Sequence, residues 1–159
     1  MRDVKPRLYL ETTIVSYLTA RPSKEPIFAG LQAATRKWWE QRRQNYEVVT
    51  SQLVLTEAAK GDADAARRRL AALAELQVME IIPTATLLGE AILATGLLPP
   101  KAAQDAGHIA MAAVNGAHFL LTWNCRHIAN PAIADELIRV CQTRGFECPV
   151  LCTPYALIA

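Results

Sequence analysis

An α/β fold with a central parallel sheet of four to five strands, covered by helices on both faces, is predicted by three observations. Short, uninterrupted apolar runs such as Leu8-Tyr9-Leu10 and Phe119-Leu120-Leu121 read as strands buried on both faces, which is the pattern of parallel rather than antiparallel sheets. These runs alternate with longer segments of helical periodicity, as repeated strand–helix units require. Acidic residues stand where apolar elements end or begin, with Glu11 closing the first run and Asp105 opening a helical one. In open parallel sheets, sites form beyond the carboxyl ends of the strands, and that is where these acids fall.

The elements follow in order. Arg7 to Leu10 is the first strand, ended by Glu11 and by Thr12, read as the N-cap of a helix running to Ala20. Arg21-Pro22-Ser23 stops that helix, and Pro26 opens a longer amphipathic one reaching about Gln44. Tyr46 to Thr50, rich in β-branched and aromatic residues, is the second strand; Ser51 caps a helix that carries Glu57 and ends near Gly61. Asp62 to Leu76 places Leu70, Leu73 and Leu76 on one helical stripe. Val78 to Ile82 reads as a third strand closed by Pro83, and Thr84 to Leu97 as a helix. After Pro99-Pro100, a helix from Ala102 to Asn115 carries Asp105 in its first turns. His118 to Thr122 is the fourth strand, Pro131 to Arg144 a helix, and Pro149 to Leu151 an edge strand. No repeat, linker or low-complexity tract interrupts this order, so residues 1–159 are expected to form a single domain.

Composition excludes several function classes. At 52% hydrophobic and 20% charged residues with a formal net charge of +2, the chain is neither disordered nor polybasic, and charge alone nominates no partner. No apolar run approaches the roughly 20 residues of a spanning helix, and the start Met1 to Pro6 lacks the apolar centre of a signal peptide, so a cytoplasmic protein without a membrane partner is expected. Cys125, Cys141, Cys148 and Cys152 show no paired metal-binding spacing and read as reduced core or surface thiols.

The chemistry is expected in the acids. Glu11, Glu57 and Asp105 lie far apart in sequence, and each sits among aliphatic neighbours. An unpaired carboxylate in such company loses its hydration at a cost, so acids placed there pair or hold a metal. All three can converge on one rim of the sheet. The polar loop Thr122-Trp123-Asn124-Cys125-Arg126-His127 leaves the fourth strand at the same rim, and Asn124 is a natural fourth member supplying an amide oxygen. No Ser-His-Asp or Cys-His set competes for the chemistry. Arg126 and His127, beside the proposed site, are candidates for phosphate contacts.

These residues resemble the motifs of the PIN-domain ribonucleases, the family that includes the VapC-like toxins of bacterial type II toxin–antitoxin pairs. Tyr9-Leu10-Glu11-Thr12-Thr13 resembles the first motif, usually an Asp followed by a small hydroxyl residue; Ser51 to Glu57 resembles the helix that carries its Glu. Asp105-Ala106-Gly107-His108-Ile109-Ala110 resembles the third acidic motif, and Leu120-Leu121-Thr122-Trp123-Asn124 the last, where many members have Asp. The likeness spans nearly the whole chain with the motifs in family order. It implies a PIN-like three-layer α/β/α fold and a Mg²⁺- or Mn²⁺-dependent endoribonuclease that hydrolyses phosphodiesters with metal-activated water. Glu11, Glu57 and Asp105 are the implied metal ligands, Thr12 and Asn124 orient water or a carboxylate, and Thr122 buttresses the loop. An RNA substrate, a small antitoxin and a homodimer are implied as partners. Asn124 removes one negative charge from the usual set, which weakens a second cation more than the first. That substitution also supports the alternative of a catalytically weak PIN-like RNA-binding or protein-interaction module.

Each residue has a structural counterpart to its functional role. Glu11 and Asp105 can complement a helix dipole, Glu57 can pair with Lys60 or Arg67, and His108 can be a packing histidine with a local hydrogen bond. The cluster Arg36, Lys37, Trp38, Trp39, Arg42 and Arg43 can grip single-stranded RNA, but reads first as a solvated helix whose tryptophans pack on the core or a partner. Arg67-Arg68-Arg69 reads as a solvated charge run.

Overall fold

The computed structural model describes residues 4–159. The N-terminal start considered above for a signal peptide thus lies partly outside the described residues. No helix among those described is long and apolar enough to cross a membrane.

Five strands, β1 (Arg7–Leu10), β2 (Glu47–Ser51), β3 (Gln77–Met79), β4 (Phe119–Leu121) and β5 (Val150–Cys152), form one sheet in the order β3-β2-β1-β4-β5. Every pairing is parallel. The register sets Tyr9 beside Val49 on one side and Leu120 on the other, and Leu8, Tyr9 and Leu10 are fully buried. This explains the unbroken apolar run at the sheet centre: helices cover both faces, so neither parity of side chain meets water.

The connecting helices are α1 (Thr12–Thr19), α2 (Pro26–Gln41), α3 (Gln52–Ala58), α4 (Ala63–Leu73), α5 (Pro83–Ala94), α6 (Ala103–Val114), α7 (Pro131–Thr143) and α8 (Pro154–Leu157). α1 packs against α2, α3 and α4, while α5 packs against α6 and α7. The chain builds outward from β1 to β2 and β3, then crosses to the other side for β4 and β5. That reversal opens a crevice beyond the carboxyl ends of β1 and β4, the place where open α/β sheets bind ligands.

Four expectations are corrected in detail. The N-cap of α1 is Glu11, whose side chain accepts from the Thr13 backbone N–H, and Thr12 is already helical. The long second helix ends at Gln41 and gives way to a separate 3₁₀ turn over Arg43–Asn45. β3 ends at Met79 rather than Ile82, because Ile81 and Ile82 face outward and Pro83 starts α5. The short α8 follows β5 and was not expected at all.

The basic runs have structural work. Trp38 is fully buried, and the Arg43 guanidinium lies 3.8 Å over the half-buried Trp39 ring, a cation–π contact. Arg68 and Arg67 pair with Asp64 on their own helix, and Arg68 Nε also donates to the Thr19 carbonyl at the end of α1. Arg69 donates to the carbonyls of Ala58 and Lys60, satisfying the free C-terminal end of α3. The triple arginine thus ties α4 to α1 and α3 rather than standing as a merely solvated run.

Candidate metal centre

The strand-to-helix junction after β1 puts a carboxylate at the sheet rim. Glu11 is 3% exposed, and its backbone N–H continues the ladder by donating to the Leu121 carbonyl at 3.1 Å. One carboxylate oxygen, Oε2, accepts from the Thr13 N–H at 3.0 Å, from the Thr13 hydroxyl, and from the Thr122 hydroxyl at 2.8 Å. Its other oxygen, Oε1, has no hydrogen bond among the described residues. Glu11 therefore does cap a helix, as its structural counterpart required, but with one oxygen only.

Glu57 arrives from the neighbouring element. Ser51 ends β2 and caps α3, its Oγ accepting from the Val54 N–H, and Glu57 follows on the last turn of that helix. Its partner is neither Lys60 nor Arg67. Glu57 Oε1 meets Nε2 of His108, a fully buried residue on α6. The other ring nitrogen of His108, Nδ1, lies 2.8 Å from the Tyr9 hydroxyl, which lies 2.6 Å from Ser51 Oγ. A continuous buried chain therefore runs from β2 through β1 to α6 and α3. α3 and α6 approach closely at Gly107, where an added Cβ would stand 3.0 Å from Leu53 Cδ1.

Electrostatics orient this chain. Burial pushes the His108 pKa down, but the Glu57 hydrogen bond and the charges of Glu11, Glu57 and Asp105 push it up further, so the net shift is upward. Burial drives the Tyr9 phenol far above its ordinary range, so it remains a neutral hydroxyl. With His108 protonated, Nδ1–H donates to the Tyr9 oxygen and the Tyr9 O–H donates to Ser51 Oγ, leaving Nε2–H for the Glu57 carboxylate.

A carboxylate oxygen of Glu11, one of Glu57 and a ring nitrogen of His108 all lie within 4.8 Å of one another. Among the described residues this is the group able to hold a metal ion, and none of the four cysteines joins such a group. The donor set suits a divalent cation: the carboxylate oxygens of Glu11 and Glu57 favour hard ions such as Mg²⁺ and Mn²⁺, and His108, whose Nε2–H is donated to Glu57, orients a ligand rather than serving as one. The Thr12 hydroxyl adds a second indication, because it is buried with no hydrogen-bond partner and directly follows Glu11. A polar atom in that position fits a site whose ligands bring water with them.

The remaining predicted residues occupy the flank of this cluster. Asp105 lies one turn before His108 on α6, outside the 4.8 Å group, and its Oδ2 stands 3.0 Å from His127 Nδ1. Both side chains are about one-fifth exposed. Asn124 spends its amide oxygen on the His127 backbone N–H at 2.9 Å, closing the turn after β4. Thr122 links the two regions by donating to Glu11 and accepting from the Asn124 N–H at 2.9 Å. Arg126 is exposed and makes no ion pair among the described residues.

Sequence reasoning left His108 out of the site and did not single out Tyr9 or Ser51. The available signal was the spacing of Asp105 and His108, which puts both on one helical face. Tyr9 inside a run of aliphatic residues carried no such mark.

No protein-family model matches the sequence, and no curated protein matches it. Among solved structures, the chain is similar to one in the crystal structure of VapBC2 from Rickettsia felis bound to a DNA fragment from their promoter. The TM-score is 0.60 at 16% sequence identity, covering 92% of this chain and 98% of that one. The likeness is one of fold alone.

Proposed function

We propose that the protein is a metal-dependent endoribonuclease of PIN type, a single domain that hydrolyses RNA phosphodiester bonds with Mg²⁺ or Mn²⁺. The observation that carries this reading is the convergence of Glu11, Glu57 and His108, from three separate elements, at the switch point of the sheet. The likeness to a chain of a VapBC2 complex supports a toxin role with a small antitoxin as partner; a homodimer as the working form is part of the same proposal.

When bound, the cation supplies an activated water and neutralises charge on the phosphate. The chain's own residues do the rest. Thr13 and Thr122 hold Glu11 Oε2, leaving Oε1 as the oxygen that would meet a cation. His108 fixes the rotamer of Glu57 from behind, itself held by Tyr9. Asp105 completes the ligand set, directly or through water, and the Thr12 hydroxyl orients that water. Asn124 is a positioning residue: by capping its turn it holds His127 beside Asp105, where His127 and Arg126 meet the substrate phosphate.

The test is cleavage of a single-stranded RNA with Mg²⁺ or Mn²⁺, with and without chelator, by the wild type and by Asp105→Asn. The variant should keep its circular-dichroism spectrum and lose metal-dependent cleavage; full activity in the variant would sink the assignment of Asp105. The second reading, a catalytically weak RNA-binding or interaction module, is favoured by one observation. Each acid already has a protein partner, Glu57 in His108, Asp105 in His127 and Glu11, through one oxygen, in two threonines. Wild-type protein that binds RNA but never cleaves it selects that reading.

A further inference from the structure

A concave pocket of about 450 Å³ opens between the second half of α1 and the start of α2, on the helix that Glu11 caps at its other end. Its walls carry Tyr17 and Phe28, whose rings lie 6.3 Å apart and only 21° from parallel. Phe28 is 48% exposed, a large solvent contact for a phenylalanine. Tyr17 is also braced by Trp123, edge-on at 6.3 Å, and Trp123 in turn by Tyr155 at 5.1 Å. The indole N–H of Trp123 donates to the Thr35 hydroxyl at 2.8 Å, so this aromatic row is fixed in orientation before any ligand arrives.

The rim is equally well built. Buried Gln32 accepts from the Ser23 N–H and donates to the Arg21 carbonyl, both at 2.9 Å, pinning the loop that carries Arg21. The Arg21 side chain is 85% exposed, with Asp64 at 3.9 Å as its one ion-pair partner among the described residues. Glu25, the nearest acid in sequence, is engaged in capping α2 through the Phe28 N–H.

We propose that this pocket is a stacking subsite for an unpaired base of single-stranded RNA, with the Arg21 guanidinium on an adjoining phosphate. Exposed aromatic faces stack on any base, and a guanidinium matches phosphate geometry. The location fits a neighbouring nucleotide of the strand being cut. Tyr17 lies one turn after Thr13 on the same face of α1, and the Thr13 hydroxyl bonds both Glu11 and the Trp123 N–H. The inference rests on the nuclease reading for its substrate, and deepens it by naming which residues grip the strand.

The experiment is binding of a fluorescein-labelled single-stranded RNA, and of a blunt duplex RNA, measured by anisotropy in chelator. Wild type, Phe28→Ala and Arg21→Gln are compared, both substitutions lying on the surface. Phe28→Ala should weaken single-strand binding about five- to hundredfold and leave duplex binding unchanged. Arg21→Gln should lower the slope of log affinity against log salt by about one. Wild-type affinity and salt slope in both variants overturn the proposal and leave the pocket to a protein occupant; failure of the wild type to bind the single strand overturns it too. Because no metal is present, the outcome is separable from cleavage: Phe28-dependent binding by a protein that never cuts upholds the subsite and rejects the nuclease.

Discussion

Replacing Tyr9 by phenylalanine removes one oxygen and leaves the ring, its packing and the strand unchanged. That oxygen is buried and bonds two other buried groups, Ser51 Oγ at 2.6 Å and His108 Nδ1 at 2.8 Å. Each bond contributes about 1 kcal/mol net, and the partners left behind have no route to water, so the expected loss is about 2 kcal/mol. For a domain of this size, 1 kcal/mol moves the melting midpoint by about 2–4 °C, which gives a fall of roughly 4–8 °C. Scanning calorimetry and urea unfolding at neutral pH measure it, with near-ultraviolet circular dichroism confirming intact packing. A double-mutant cycle with Ser51→Ala should show coupling of at least about 0.5 kcal/mol, since the two residues share one chain of hydrogen bonds. A midpoint shifted by less than about 1 °C, or strict additivity in the cycle, would refute the buried relay from β2 to α6.

The relay also dictates a pH dependence and a metal dependence. His108 titrates above its ordinary value of 6.5 in the folded protein, so the folded state binds its proton more tightly than the unfolded one. Its stabilisation is complete below that value and is lost as pH rises through the folded-state pKa. In chelator, the stability advantage of wild type over His108→Gln should therefore shrink as pH rises above 6.5, as read from urea midpoints; an advantage that grows with pH contradicts the shift. Thr122→Val keeps the side-chain shape but deletes a donor to Glu11 and an acceptor for the Asn124 N–H. Calorimetric titration should show Mn²⁺ binding weakened about 10–100-fold, the usual effect of losing a group that orients a ligand.

Much of this architecture was legible in the sequence because burial leaves a mark there. Leu8-Tyr9-Leu10 and Phe119-Leu120-Leu121 are apolar at every position for the same reason that they form central strands: both faces are covered. The rim position of Glu11 followed from its place after such a run. Local end effects were less legible. Ile81-Ile82 looks like strand yet faces outward, and the N-cap fell to Glu11 although Thr12 is the better capping residue by type. Least legible was the relay. Tyr9 and His108 are 99 residues apart, and His108 and Glu57 51 apart, so the partners of each polar group become visible only when β1, α3 and α6 are assembled. A histidine between Gly107 and Ile109 on an apolar helix looks like core, and in burial it is core; its function comes from what its two nitrogens meet.

Glu11 and Glu57 converge from β1 and α3 on a site able to hold a divalent cation. Calorimetric titration of Mn²⁺ into wild type, Glu11→Gln and Glu57→Gln tests it directly, because glutamine keeps the shape and removes the charge. Binding should be saturable in the wild type and at least about tenfold weaker in each variant. Wild-type affinity in both variants, or no binding to the wild type at all, contradicts it.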